Sequence, residues 1–183
     1  MIPPDDQFRR LISKRLEENW KSFTILYDIN HYGNCISILC QELDQYIRLL
    51  YLMKQPKHIK DQLLSNSIND QKWHTIGNDN KKVFIVDKDI EDFAKGLKGW
   101  EFDIFEFRNV FYKVNSNFNY ILKDPIKGLN DSERELIYKY IREYHDSNFG
   151  NDFTIKELVP LLPVIFGRIS EKIKGYFEIK EMS

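Results

Sequence analysis

Residues 141–150, IREYHDSNFG, bring Arg142, His145 and Asp146 close together. Helix positions three apart share a face, so Arg142 and His145 would stand side by side at a helix end, with Asp146 next. A guanidinium can grip a phosphate, and an imidazole can move a proton near neutral pH. Cleavage of RNA requires those two actions. The same residues also have a plainer reading. His145 can sit favourably at a helix C-terminus, and Arg142 can pair in water with Glu143 or Asp146.

A second stretch, FRNVFYK at 107–113, sets Arg108 and Asn109 inside a strongly apolar helix, with Lys113 further along. A buried arginine needs a partner. Asp103, Glu106 and the edge Glu42–Asp44 of an earlier helix are the candidates. Arg108 is then either half of an ion pair between core helices or a cation facing a cleft. The four histidines, His31, His58, His74 and His145, are scattered. Asp28 with His31 and His145 with Asp146 are only starting pairs for a metal site, and no metal or cofactor is expected. The sequence has no phosphate-cradling glycine loop, dinucleotide fingerprint, HExxH or CxxC pair.

The elements that must position these groups are helices. Residues 35–53, CISILCQELDQYIRLLYLM, carry Ile36, Leu39, Cys40, Leu43, Tyr46, Ile47, Leu50 and Tyr51 at helical spacing. Gln41, Glu42, Asp44, Gln45 and Arg48 fall on the other face. This helix, about 30 Å long, is the expected axle of the fold, with Asn34 as its cap. An earlier helix over 6–26 has the stripe Phe8, Leu11, Ile12, Leu16, Trp20 and Phe23, and Asp5 or Asp6 can cap it. A short piece over 57–66 follows Pro56. The polar segment 67–82 and the apolar VFIV at 83–86 predict a loop or a hairpin whose other arm lies near 73–76. Helices are then expected over 88–97, capped by Asp87, and over 102–122. Another runs from a Ser132–Glu135 capping box to 144, and a last one over 155–176 opens with Thr154 and Glu157. Gly150 can take positive φ in the loop before it. Pro160 and Pro163 predict a kink or a late start. The fold class is mainly α: a bundle of about five to seven helices with a small irregular or β-hairpin insertion.

The 183 residues suit a single domain, with 42% hydrophobic and 30% charged residues in the range of ordinary globular chains. The 14% aromatic content asks for large side chains to be placed in a core or an interface. A net charge of −1 supplies no general field for nucleic acid. Cys35 and Cys40 read as small buried hydrophobes in a reducing compartment. No secretory leader or membrane span is seen, so a cytoplasmic protein is expected.

The run CQELDQYIRLLYLM resembles the first helix of HEPN domains, which are small helical bundles. FRNVFYK resembles the arginine–asparagine start of their motif helix. IREYHDSNFG before an amphipathic last helix resembles their histidine-then-final-helix ending. The resemblance covers 34–176 as an architecture. It implies a module acting through RNA or a partner protein, in bacterial defence or a toxin–antitoxin system, and a homodimer across the motif face. It also implies, as an alternative, a metal-independent ribonuclease. Arg108 or Arg142 would hold phosphate there, and His145 would be the acid–base group. Asn109, Lys113, Asp146, Glu42 and Arg48 would then line the binding surface. A third reading is a structural partner protein with an aromatic interface. The chain departs from the motif at Lys113, where no histidine follows Arg108, and Arg142 stands close before His145. Either the site is degenerate, or Arg108 and His145 meet from two helices.

Overall fold

The computed structural model describes residues 2–77, 79–120, 124–147, 150 and 152–178. Helix α1 spans Pro4–Asp28 and α2 spans Tyr32–Met53. In α1, Pro4 lies in the first turn, where its missing N–H leaves no bond unmade, and Asp5 and Asp6 face the positive end of the helix dipole. Neither aspartate is the cap, a position held by Pro3. Likewise α2 starts upstream of the expected position, with His31 at the cap and Asn34 inside the first turn.

The eight apolar residues that the spacing assigns to the inner face of α2 are all buried, and Leu49 and Leu52 join them. A helix buried this far round must be surrounded. Helices α1, α3 (Lys57–Ile68), α4 (Asp87–Ala94), α5 (Trp100–Tyr120) and α8 (Leu162–Glu178) all pack on it. The expected polar face is therefore corrected at Glu42, which is 0% exposed. The reason is that α1 crosses that face. Arg15 and Asn19, one turn apart, donate from Nη2 and Nδ2 to the two Glu42 oxygens at 3.1 and 2.5 Å. In exchange α1 leaves Leu11 and Trp20, assigned to its apolar stripe, 50% and 42% exposed.

Against α5 the contacts of α2 recur at steps of three and four. A Cβ on Gly33 would lie 2.6 Å from the Phe118 ring. Ser37 Oγ donates to Asn115 Oδ1 at 2.8 Å, Cys40 Sγ points at the Phe111 carbonyl at 3.7 Å, and Asp44 meets Arg108. These pairs run in opposite senses along the two helices, as in an antiparallel coiled-coil seam. Cys35 instead points at the Phe23 carbonyl on α1, so the two buried cysteines face different neighbours and stay unbridged. Burial pushes the Cys40 thiol up to about 12.

The insertion is a hairpin, with β1 (His74–Ile76) antiparallel to β2 (Lys82–Phe84) and His74 opposite Phe84. Helix α4 begins at Asp87 rather than after it, because Asp89 Oδ2 accepts the Val86 N–H at 2.8 Å. Gly99, with φ of 59°, turns the chain into α5. Residues 121 and 122, expected to end α5, lie outside the described residues. Helix α6 spans Asp131–Tyr144, and its capping box is Asn130 with Glu133, not Ser132 with Glu135. Thr154 and Glu157 do form the expected box, opening α7 (Ile155–Leu158). Pro160 then tightens the chain into a 3-10 turn, Val159–Leu161, before α8 continues. With the contiguous α7 and α8 counted as one, the described residues form seven helices and one small hairpin, a mainly α bundle. Among them no helix is long and apolar enough to cross a membrane.

The Glu42 pairing makes an asymmetric prediction. Arg15→Ala strands a carboxylate with no access to water and costs about 3–5 kcal/mol, the range for breaking a buried pair from one side. Glu42→Leu costs less, because Arg15, 29% exposed, can turn outward. The double variant Arg15→Ala/Glu42→Leu is expected to be more stable than Arg15→Ala alone. Urea midpoints at constant m-value measure all three.

Candidate functional site

Arg108 projects from α5 toward α2 and α4. Its Nη2 donates to Asp44 Oδ1 at 2.5 Å, and its Nη1 donates to Asn109 Oδ1 at 3.0 Å and lies 3.8 Å from Glu91 Oε1. The guanidinium also covers the Tyr112 ring, 5.0 Å from its centroid. The side chain is 16% exposed. The second Asp44 oxygen accepts from Arg48 Nε at 2.9 Å, and Arg48 Nη2 reaches Asp87 Oδ1 at 2.5 Å. Asp44 thus joins two arginines, one at each oxygen. Three carboxylates, Asp44, Asp87 and Glu91, face these two guanidiniums, which leaves the cluster with excess negative charge. A phosphate would have to displace a carboxylate already in place.

The other members of the predicted surface lie around this cluster. Asn109 is exposed beside Arg108, and Lys113 is an exposed cation paired with Glu133, tying α5 to the start of α6. Glu42 belongs to the α1–α2 contact and does not reach the surface. Arg48 faces a groove of about 350 Å³ lined also by Leu11, Ile12, Arg15 and Trp73.

His145 is the C-cap residue of α6, where its N–H donates to the Ile141 carbonyl at 2.9 Å. Its ring turns inward against Tyr140, with centroids 5.3 Å apart. Both ring nitrogens are buried and have no hydrogen-bond partner among the described residues, and the same is true of the Tyr140 hydroxyl. Burial, and then the positive charge of Arg168, pushes the imidazole down to about 4. It is therefore neutral at pH 7: it holds the helix C-terminus as the plainer reading has it, but brings no charge to the helix dipole there. Arg142 is exposed and rests over the Tyr138 ring at 5.1 Å, so its neighbour is an aromatic ring of its own helix. Asp146 is exposed and takes φ of 49°, the left-handed turn expected of Gly150.

The fold therefore separates the predicted catalytic set. The partners of Arg108 belong to α2, α4 and α5, those of His145 to α6 and α8, and Arg142 lies on the surface of α6. What surrounds His145 is an aromatic cluster. Tyr140 stacks on Phe107 at 4.1 Å and touches Trp100 at 5.6 Å, and Arg168 and Lys172 both lie over Trp100. Sequence reasoning missed Trp100 and Arg168. The signal available was Arg168 and Lys172 one turn apart on a helix face. Among the described residues no three His, Cys, Asp or Glu side chains are placed to hold a metal ion.

The inward His145 makes stability depend on pH. Its folded pKa of about 4 lies below the ordinary 6.5, so the unfolded chain binds the proton first as pH falls. Stability is lost from about pH 6.5 downward and levels off below about 4. His145→Leu should keep more of its neutral-pH stability at pH 5 than the native chain does, as read from thermal midpoints of both at pH 7 and pH 5.

Comparisons of the chain with family models, curated proteins and solved structures give no match.

Proposed function

We propose that the chain is a non-catalytic, HEPN-like helical module that acts by contact with another protein. The observation that carries this reading is the Asp44–Arg108 ion pair at 2.5 Å, which commits the motif arginine to holding α5 on α2. Two further features support it. His145 faces the aromatic interior and shares no partner with Arg108 among the described residues, and its neutral ring is too weak a base to take a proton efficiently at pH 7. The exposed apolar residues Ile76, Val83, Phe84 and Val86 gather on one small hairpin and its exit, where a protein partner could cover them. Protein is favoured over RNA because three of the four cations of the predicted site, Arg48, Arg108 and Lys113, are already paired with carboxylates, which leaves Arg142 over its tyrosine ring. A defence or toxin–antitoxin setting rests on the sequence resemblance alone.

The test is an RNA-degradation and gel-retention assay on the native chain, Arg108→Ala and His145→Ala. All three are expected to leave RNA intact and unretarded. Degradation by the native chain that His145→Ala abolishes would turn the assignment to a ribonuclease. Retention that Arg142→Ala removes would turn it to an RNA-binding module.

A further inference from the structure

The hairpin has an edge with a use for a second copy of itself. All three residues of β2 are exposed, and Ile76, Val83, Phe84 and Val86 are each about half exposed, at 49–53%. Neighbouring strand residues point to opposite faces, so Val83 and Phe84 put apolar surface on both sides of β2. The sheet has two strands among the described residues, and β1 is the one that packs on α3. The Ile85 N–H donates to the Trp73 carbonyl and the Gly77 N–H donates to the Lys81 carbonyl, both at 2.9 Å. These bonds turn the main-chain groups of residues 81 and 85 toward β1. By the alternation of an antiparallel ladder, those of Lys82 and Phe84 point away from β1, to the outer edge.

The charge along this edge selects the sense in which two copies of it can pair. Residues 82–86 read Lys-Val-Phe-Ile-Val, with a cation at one end, while Asp87 beyond them already belongs to α4 and is bonded to Arg48. An antiparallel pairing of two such edges, centred on Phe84, sets Lys82 across from Val86 of the second copy and Val83 across from its Ile85. A parallel pairing would set lysines against lysines. Like charges across a ladder oppose it, so the antiparallel sense, which keeps the lysines apart, is the favoured one. The arrangement is also two-fold, with the same patch on each side, as closed dimers require. Lys82 is the only charged residue in 82–86, so the edge carries little of the charge that usually blocks such pairing.

We infer that two copies of this chain associate through the outer edges of β2, joined antiparallel about Phe84 into one four-stranded sheet. The inference deepens the protein-contact reading above by naming the partner as the chain itself. Phe84 exchanges both main-chain bonds with its counterpart. The ladder stays short because the Val86 N–H already serves Asp89 at the start of α4.

Sedimentation of the full chain across the micromolar range tests this. The native chain is expected to pass from monomer to dimer as concentration rises. Phe84→Lys, at an exposed position, should raise the dissociation constant by about tenfold or more with unchanged circular dichroism. In the proposed register the two Phe84 Cα atoms stand about 5.5 Å apart, within reach of a disulfide. Phe84→Cys should therefore cross-link under mild oxidation, while the native chain, whose Cys35 and Cys40 are buried, should not. A native chain that stays monomeric throughout would overturn the inference. So would a dimer that Phe84→Lys leaves intact, or a Phe84→Cys chain that fails to cross-link. Should Phe84→Lys not fold, the cross-link decides. A monomer that leaves RNA untouched would defeat this inference and spare the non-catalytic reading. A dimer that degrades RNA would do the reverse.

Discussion

A carboxylate with no access to water, Glu42, sits in the middle of the most buried helix of the chain. Such a group is tolerable only with donors at each oxygen. Arg15 and Asn19 supply them from α1, and no other rotation of α1 about its own axis brings both to the same point. The pairing thereby sets how α1 lies on α2. That in turn decides which α1 side chains reach the core and which are left outside. Phe8, Leu16 and Phe23 go in, whereas Leu11 stays half out. An apolar residue at position 42 would be easier to bury and would say much less about orientation.

Two residues further on, Asp44 does the corresponding work on the opposite flank. It draws Arg48 of its own helix and Arg108 of α5 to separate oxygens, and Asp87 and Glu91 of α4 close the cluster from outside. Three helices meet there through charge as well as through apolar contact. The chemistry that the sequence advertises at Arg108 is thus absorbed by the architecture. His145 is absorbed differently. It becomes a neutral aromatic ring among aromatic rings, beside Tyr140, while Arg168 spends its charge over Trp100.

What could be read from the sequence was whatever depends on one helix at a time. The periodicity of α2 identified its buried residues, Thr154 with Glu157 marked the start of α7, and VFIV after a polar run marked a hairpin strand. Where two elements had to be combined, the reading failed. Glu42 looks like surface until α1 is laid across it, and the spacing of Arg142 and His145 says nothing of the way the chain turns inward at Tyr144. Caps were displaced by two or three residues wherever several polar residues competed, as at 130–135, because only the local backbone decides which oxygen meets which N–H. Whether Arg108 was a structural or a site cation depended on its distance from Asp44, and that distance is tertiary information.

The α2–α5 seam has a further property as a measure of length. Its four stations are unlike one another: a bare backbone under a ring at Gly33 and Phe118, a hydroxyl at Ser37, a thiol at Cys40 and a charge at Asp44. A uniform leucine seam could slide by a heptad and still close. This one cannot. A slip toward the C-terminus of α2 would drive Phe118 against a side chain, and a slip either way would move Arg108 away from its carboxylate. The two helices work as key and ward, and their own side chains identify the correct alignment without help from the loops between them.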